Sequence, residues 1–150
     1  MRLLVLCTHN SARSQMAEAW LKHFAGELGV ALEVHSAGTE KGFVKEEAKQ
    51  VMAEVGLSLE GHASKTLGEV PDPWNFDLVL TLCHEAEAAC PAYPAKTARR
   101  HVPFPDPTGK PLEAWREVRE GLRRLARFLV ERLREGDLPS EAELREAARP

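Results

Sequence analysis

The chain has 150 residues, 43% hydrophobic and 29% charged, with a formal net charge of −3, which suits one domain with a real hydrophobic core. No basic stripe stands out beyond a helix where Arg alternates with Glu, and no apolar run approaches a membrane span; nucleic acid and membrane are therefore not expected as partners. Met1-Arg2 leads into a strand rather than a signal peptide, so a cytoplasmic setting is expected, where three cysteines mean thiol chemistry or metal rather than a disulfide framework.

In chain order, the apolar run Arg2–Leu6 predicts a buried parallel strand. From Ser14 to Leu28, Met16, Trp20, Phe24 and Leu28 recur at helical spacing beside Ala17 and Leu21, and Gly29 stops the helix. Ala31–His35 alternates as a short strand, with Ser36-Ala37-Gly38-Thr39 read as a turn. A second helix is expected from Val44 to Val55, a third strand over Phe76–Leu82 and a short helix over His84–Ala89. A strand near Arg99–Val102 leads into the stiff loop Pro103–Gly109. A long helix from Leu112 to Glu135 buries Trp115, Val118, Leu122, Leu125, Leu129 and Leu133. After Gly136, Ser140 and Glu143 form a capping-box pattern for a last helix in the tail 136–150.

This alternation predicts a single α/β domain over residues 1–150, with a four-stranded parallel sheet and helices on both faces. In such folds ligands bind beyond the carboxyl ends of the strands. Cys7, Cys83 and Asp106 follow the first, third and fourth strands, so they are expected at one edge.

Cys7-Thr8-His9-Asn10-Ser11-Ala12-Arg13-Ser14 is the most informative segment. Thr8, His9, Asn10, Ser11, Ala12 and Arg13 can wrap their backbone N–H groups around a tetrahedral oxyanion, and the helix that follows adds its positive end. That environment is expected to lower the pKa of Cys7, the nucleophile, while Arg13 grips two oxygens and Ser14 donates to the thiolate. Asn10 is expected to order the loop, and Asp106, held between prolines, to protonate the leaving oxygen. Two further thiols, Cys83 and Cys90, suggest that electrons are moved rather than an ester simply cleaved. No CxxC pair supports a zinc site, and no bound metal is expected.

Together, Cys7-Thr8-x-Asn10-Ser11-x-Arg13-Ser14-Gln15-Met16-Ala17-Glu18, Ser36-Ala37-Gly38-Thr39, Thr81-Leu82-Cys83 and Asp106-Pro107 resemble the thioredoxin-coupled arsenate reductases, which share the low-molecular-weight protein tyrosine phosphatase fold. The resemblance implies reduction of arsenate to arsenite through a Cys7 adduct. It also implies a Cys83/Cys90 relay restored by thioredoxin, and a monomer with no bound cofactor. If residues 84–89 stay helical, Cys83 and Cys90 lie about 10 Å apart along the axis. A disulfide tolerates roughly 7 Å between Cα atoms, so that segment must unwind for the two to join.

Two departures are notable: His9 stands where the family usually has Gly, and Ala12 where it often has Cys. Some relatives bind potassium near residues matching Asn10, Glu18 and Ser36; no further carboxylate stands around His62-Ala63-Ser64, and the resemblance leaves that ion open. The alternative reading is a phosphatase that hydrolyses aryl phosphates through a phosphocysteine at Cys7, a side activity expected in either case. Thr108 after Asp106-Pro107, and Gln15 after Ser14, lean toward the reductases. An oxyanion-binding or redox-sensing regulator is a third reading, without a DNA-reading helix to support it.

Overall fold

The computed structural model describes residues 1–150. The apolar run at the N-terminus forms β1 (Arg2–Cys7), whose Leu3, Leu4 and Val5 are wholly buried. On one side it pairs in parallel with β2 (Glu33–Gly38) and on the other with β3 (Leu78–Thr81); β4 (Ala98–His101) completes the order β2-β1-β3-β4. A strand buried on both faces needs no alternation of polar and apolar residues, and β1 shows none.

Five helices complete the fold: α1 (Arg13–Leu28), α2 (Glu46–Ala53), α3 (His84–Ala89), α4 (Leu112–Arg134) and α5 (Glu141–Ala148). Leu3, Val5, Leu78 and Leu80 face one core with α1, α2, α4 and α5. Leu4, Leu6 and Val79 face a smaller one with Ala86 of α3, Val70 and Phe76. Helices thus cover both faces as expected, but unequally: only the six-residue α3 stands over the second face. Trp115, Leu122 and Leu129 of α4 are wholly buried, while Arg116 makes a two-pronged pair with Glu54 on the outer side. The tail is docked: Leu144 of α5 is wholly buried, and Ser140 and Glu143 form the expected capping box.

Several expected boundaries move. Ser36-Ala37-Gly38 is not a turn but the buried end of β2, paired with Val5, Leu6 and Cys7 of β1. These small residues lack the β-branched signature of a strand, yet they match a crowded centre. α2 is shorter than Val44–Val55 at both ends. β3 is likewise shorter than Phe76–Leu82, although the flanking Asp77 and Leu82 N–H groups donate to the Arg2 and Leu6 carbonyls. β4 is displaced by one residue from Arg99–Val102.

Gly38 marks where the sheet meets the first loop. A Cβ there would lie 2.7 Å from the Thr8 and Glu40 carbonyl oxygens and 2.8 Å from the Asn10 nitrogen, all backbone atoms that cannot rotate away. At Gly26, inside α1, a Cβ would meet nothing within 4 Å. Gly38→Ala should therefore cost about 1–3 kcal/mol of stability. Gly26→Ala should gain roughly 0.5–1 kcal/mol. Denaturant unfolding of the two variants checks both signs.

Candidate active site

Residues 8–12 connect the end of β1 to the start of α1, and α1 begins without a capping side chain. The backbone N–H groups of His9, Asn10, Ser11 and Ala12 donate to no protein atom. Open donors at a helix N-terminus are what an oxyanion requires. The loop frames a cavity of about 370 Å³ lined by Cys7, Thr8, His9, Ser11, Ala12, Arg13, Lys45, Glu85, Asp106 and Thr108. A larger groove of about 690 Å³ lies along α4 and the C-terminus, with no cysteine on its wall.

Asn10 does not line the cavity. It is wholly buried and, with φ 52°, is the loop's left-handed residue; His9, where the family usually has Gly, is not in that conformation. Asn10 Nδ2 donates to Ser14 Oγ at 2.9 Å, while Asn10 Oδ1 accepts from Gln15 Nε2 at 3.0 Å and from the Lys65 N–H at 3.1 Å. Gln15 Nε2 also reaches the Asn10 and Ala63 carbonyls, and its Oε1 meets His62 Nδ1 at 2.8 Å. Ser64 Oγ donates to the His9 carbonyl at 2.7 Å. The strained turn is thus held from inside by a fully connected polar network.

Ser14, expected to donate to Cys7, makes no hydrogen bond to it; its Oγ accepts from the Asn10 amide, which satisfies that buried donor. Arg13 is buried: its Nη1 donates to the Phe104 carbonyl at 2.9 Å, its Nη2 lies 3.9 Å from Asp106 Oδ2, and its Nε has no partner. One edge of the guanidinium is therefore anchored and another is left for a ligand.

The sheet brings two thiols together. Cys83 Sγ lies 3.2 Å from Thr8 Oγ1 and accepts from the Ala86 N–H of α3 at 3.4 Å. Cys83 is held down to about 5 by the neighbouring Cys7 thiol against the upward pull of burial, with Thr8, the Ala86 N–H and Arg13 adding to the effect. Cys7 moves the other way: the Cys83 sulfur and burial push its thiol above the ordinary range, and Arg13 and the Thr8 N–H only partly oppose this. This reverses the expected lowering of Cys7. The two thiols therefore titrate as a pair, with Cys83 the one favoured as thiolate.

Cys90 is half-buried at the far end of α3, and burial pushes its thiol upward. Asp106 stands exposed at the cavity mouth. Burial pulls its carboxyl upward, but the Thr108 N–H and hydroxyl, Arg13 and Lys45 outweigh this and hold it below the usual carboxylate range.

Glu18, matched to the potassium site of some relatives, is almost buried. It takes Lys22 Nζ at 2.6 Å and the Ser36 hydroxyl, with Lys65 Nζ at 3.9 Å. Two ammonium groups already meet its single charge, so these residues do not fit an added cation.

The structure thus brings together Cys7, Thr8, His9, Ser11, Ala12, Arg13, Asp106 and Cys83, and leaves Cys90 behind α3. Lys45 and Glu85 on the cavity wall were missed from sequence, and Gln15, His62 and Ser64 were given no part in holding the loop from beneath. All but Gln15 reach the loop from distant segments and carry no local signal.

Residues 2–138 match the family model for low molecular weight phosphotyrosine protein phosphatase. An arsenate reductase of Bacillus cereus is 41% identical over 124 residues, 82% of this chain and 90% of that one. Among solved structures, a YwlE mutant from Bacillus subtilis superposes with a TM-score of 0.78 at 27% identity, covering 89% of this chain and 99% of that one. An arsenate reductase in the phosphate binding state gives 0.68 at 27% identity, with 87% and 96% covered. An oxyanion loop at the end of β1, on a four-stranded parallel sheet matched nearly end to end, places this chain in the low molecular weight phosphotyrosine protein phosphatase family.

Proposed function

We propose that this protein is an arsenate reductase in which Cys7 forms the arsenic adduct and Cys83 and Cys90 carry the electrons. One observation supports the reading above others: a second thiol, Cys83, has its Sγ 3.2 Å from Thr8 Oγ1 of the oxyanion loop. Hydrolysis alone has no use for that neighbour. The curated relatives named as arsenate reductases point the same way.

Hydrogen arsenate seats on the free N–H groups of the loop and the open edge of Arg13. The Cys7 sulfur attacks arsenic, a sulfur–arsenic bond forms and an arsenic–oxygen bond breaks. The Cys7 proton ends on the departing oxygen, so thiol and hydrogen arsenate together yield the adduct and one water. Asp106, ionised in the free site, relays that proton at the mouth.

Cys83, already a thiolate, then attacks the Cys7 sulfur. A disulfide forms, the sulfur–arsenic bond breaks with its electron pair left on arsenic, and arsenic(V) departs as arsenite. Cys90, once deprotonated, attacks Cys83 and frees Cys7. A Cys83–Cys90 disulfide remains, and a thioredoxin dithiol reduces it while becoming oxidised. Because α3 separates these two cysteines, residues 84–89 unwind in this step. The same cup and Asp106 serve hydrolysis of phosphate monoesters as a side activity.

With arsenate, thioredoxin, its reductase and NADPH, the wild type should oxidise NADPH in an arsenate-dependent way. Cys83→Ser should abolish that signal and leave aryl phosphate hydrolysis standing. Hydrolysis indifferent to both distal cysteines, with no arsenate turnover, would favour the phosphatase.

The charge on Cys83 gives a second prediction. Its thiolate absorbance, followed in Cys90→Ser, should persist above about pH 5 and disappear below it. The lowered value means the charged form dominates at neutral pH and is lost as pH falls. Thr8→Val removes a hydroxyl that favours the charge, so the midpoint should rise. An unchanged midpoint would show that Thr8 contributes nothing.

A further inference from the structure

The cavity mouth carries a cation that the chemistry above does not use. Lys45 precedes α2, and its backbone N–H donates to the Ser11 carbonyl at 2.9 Å, which ties it to the oxyanion loop. Its side chain lines the cavity with Asp106 and Thr108. Unlike most lysines here, its ammonium makes no ion pair or hydrogen bond within the protein; its neighbour is the Phe43 ring, with Nζ 4.6 Å from the centroid. Phe43 is 64% exposed, so the pair stands at the surface, where such contacts hold a side chain in place more than they stabilise a fold.

Charge balance gives Lys45 a purpose. Four formally charged side chains line the cavity: Arg13 and Lys45 are positive, Glu85 and Asp106 negative. His9 is engaged with Glu40 at 2.9 Å. Without Lys45 the wall would be net negative around a site that receives a dianion, and Arg13 alone would oppose two carboxylates. With Lys45 the four wall charges cancel, and the loop N–H groups and the helix end offset the Cys83 thiolate behind Thr8.

Position adds selectivity. Arg13 is anchored to the Phe104 carbonyl, whereas Lys45 lines the cavity with Asp106 at the mouth, where the oxygen directed away from Cys7 must lie. In hydrogen arsenate or hydrogen phosphate that oxygen is a terminal hydroxyl, open to an ammonium donor. In a phosphate monoester it is an uncharged bridge to the organic group. We propose that Lys45 is a substrate-binding residue that holds the outward oxygen of an inorganic oxyanion and so favours such anions over phosphate monoesters. This rests on the oxyanion reading of the Cys7 cup and not on the sulfur relay.

Inorganic phosphate is the probe, titrated calorimetrically into the reduced full chain. Lys45→Ala should raise its Kd about tenfold, while the KM for para-nitrophenyl phosphate, also a dianion, rises by clearly less, about threefold at most. Lys45→Arg should restore phosphate binding. Added potassium chloride should weaken phosphate binding by the wild type more steeply than by Lys45→Ala. Unchanged phosphate affinity in Lys45→Ala, or an equal loss for phosphate and the aryl ester, overturns the assignment. A wild type that binds no phosphate at all would instead overturn the oxyanion reading of the cup, and the Lys45 assignment with it.

Discussion

The pairing of β1 with β3 is the constraint on which the rest of this structure depends. Leu6 stands opposite Thr81, and the Leu82 N–H continues the ladder to the Leu6 carbonyl at 3.0 Å. Each strand ends in a cysteine-bearing segment on the same edge of the sheet, so backbone hydrogen bonds, not side-chain preference, bring the Cys7 and Cys83 segments together. Both strands are buried on both faces, and a slip in register would turn Leu3, Val5, Leu78 and Leu80 out of the larger core. The hydrophobic effect that folds the sheet therefore also sets the spacing of the two thiols.

Above that edge the chain exchanges ordinary secondary structure for open donors. Residues 9–12 leave N–H groups unpaired, which a small domain tolerates only where the surroundings over-determine the backbone. Asn10, Ser14 and Gln15, each wholly buried, supply that support from within. A partly satisfied polar cluster would cost more than an apolar one, so the completeness of this network matters as much as its presence. The thiols add an electrostatic condition. Cys83 is the thiol whose charged form is favoured, with Thr8 and the Ala86 N–H at its sulfur. In the proposed cycle this keeps the attacking sulfur of the redox step ready and leaves the proton on Cys7 for the departing oxygen.

Much of this was legible in the sequence, and the exceptions have physical causes. The order of elements followed from apolar runs and helical stripes, and the loop announced itself because Cys7, Asn10, Arg13 and Ser14 lie within eight consecutive residues. Ser36-Ala37-Gly38 misled because small residues suit a turn in isolation; only the crowding against Thr8 and Asn10 explains why a strand ends there. Lys45, Ser64 and His62 belong to segments that reach the loop through tertiary contacts, which no local pattern records. The direction of the Cys7 shift was missed for a related reason. Arg13 and the loop amides are visible in the motif, whereas the opposing thiol arrives from the segment between β3 and α3, 76 residues later.

The proposed cycle passes electrons from one sulfur to the next, and trapping its first product tests it most directly. Reduced Cys90→Ser, mixed with excess arsenate for a single turnover and quenched in acid, can be mapped by peptide mass spectrometry while arsenite is measured. The account predicts a Cys7–Cys83 disulfide formed in equal amount with arsenite. Arsenite released with both sulfurs still reduced, or a Cys7 adduct that only hydrolyses back to arsenate, would contradict it.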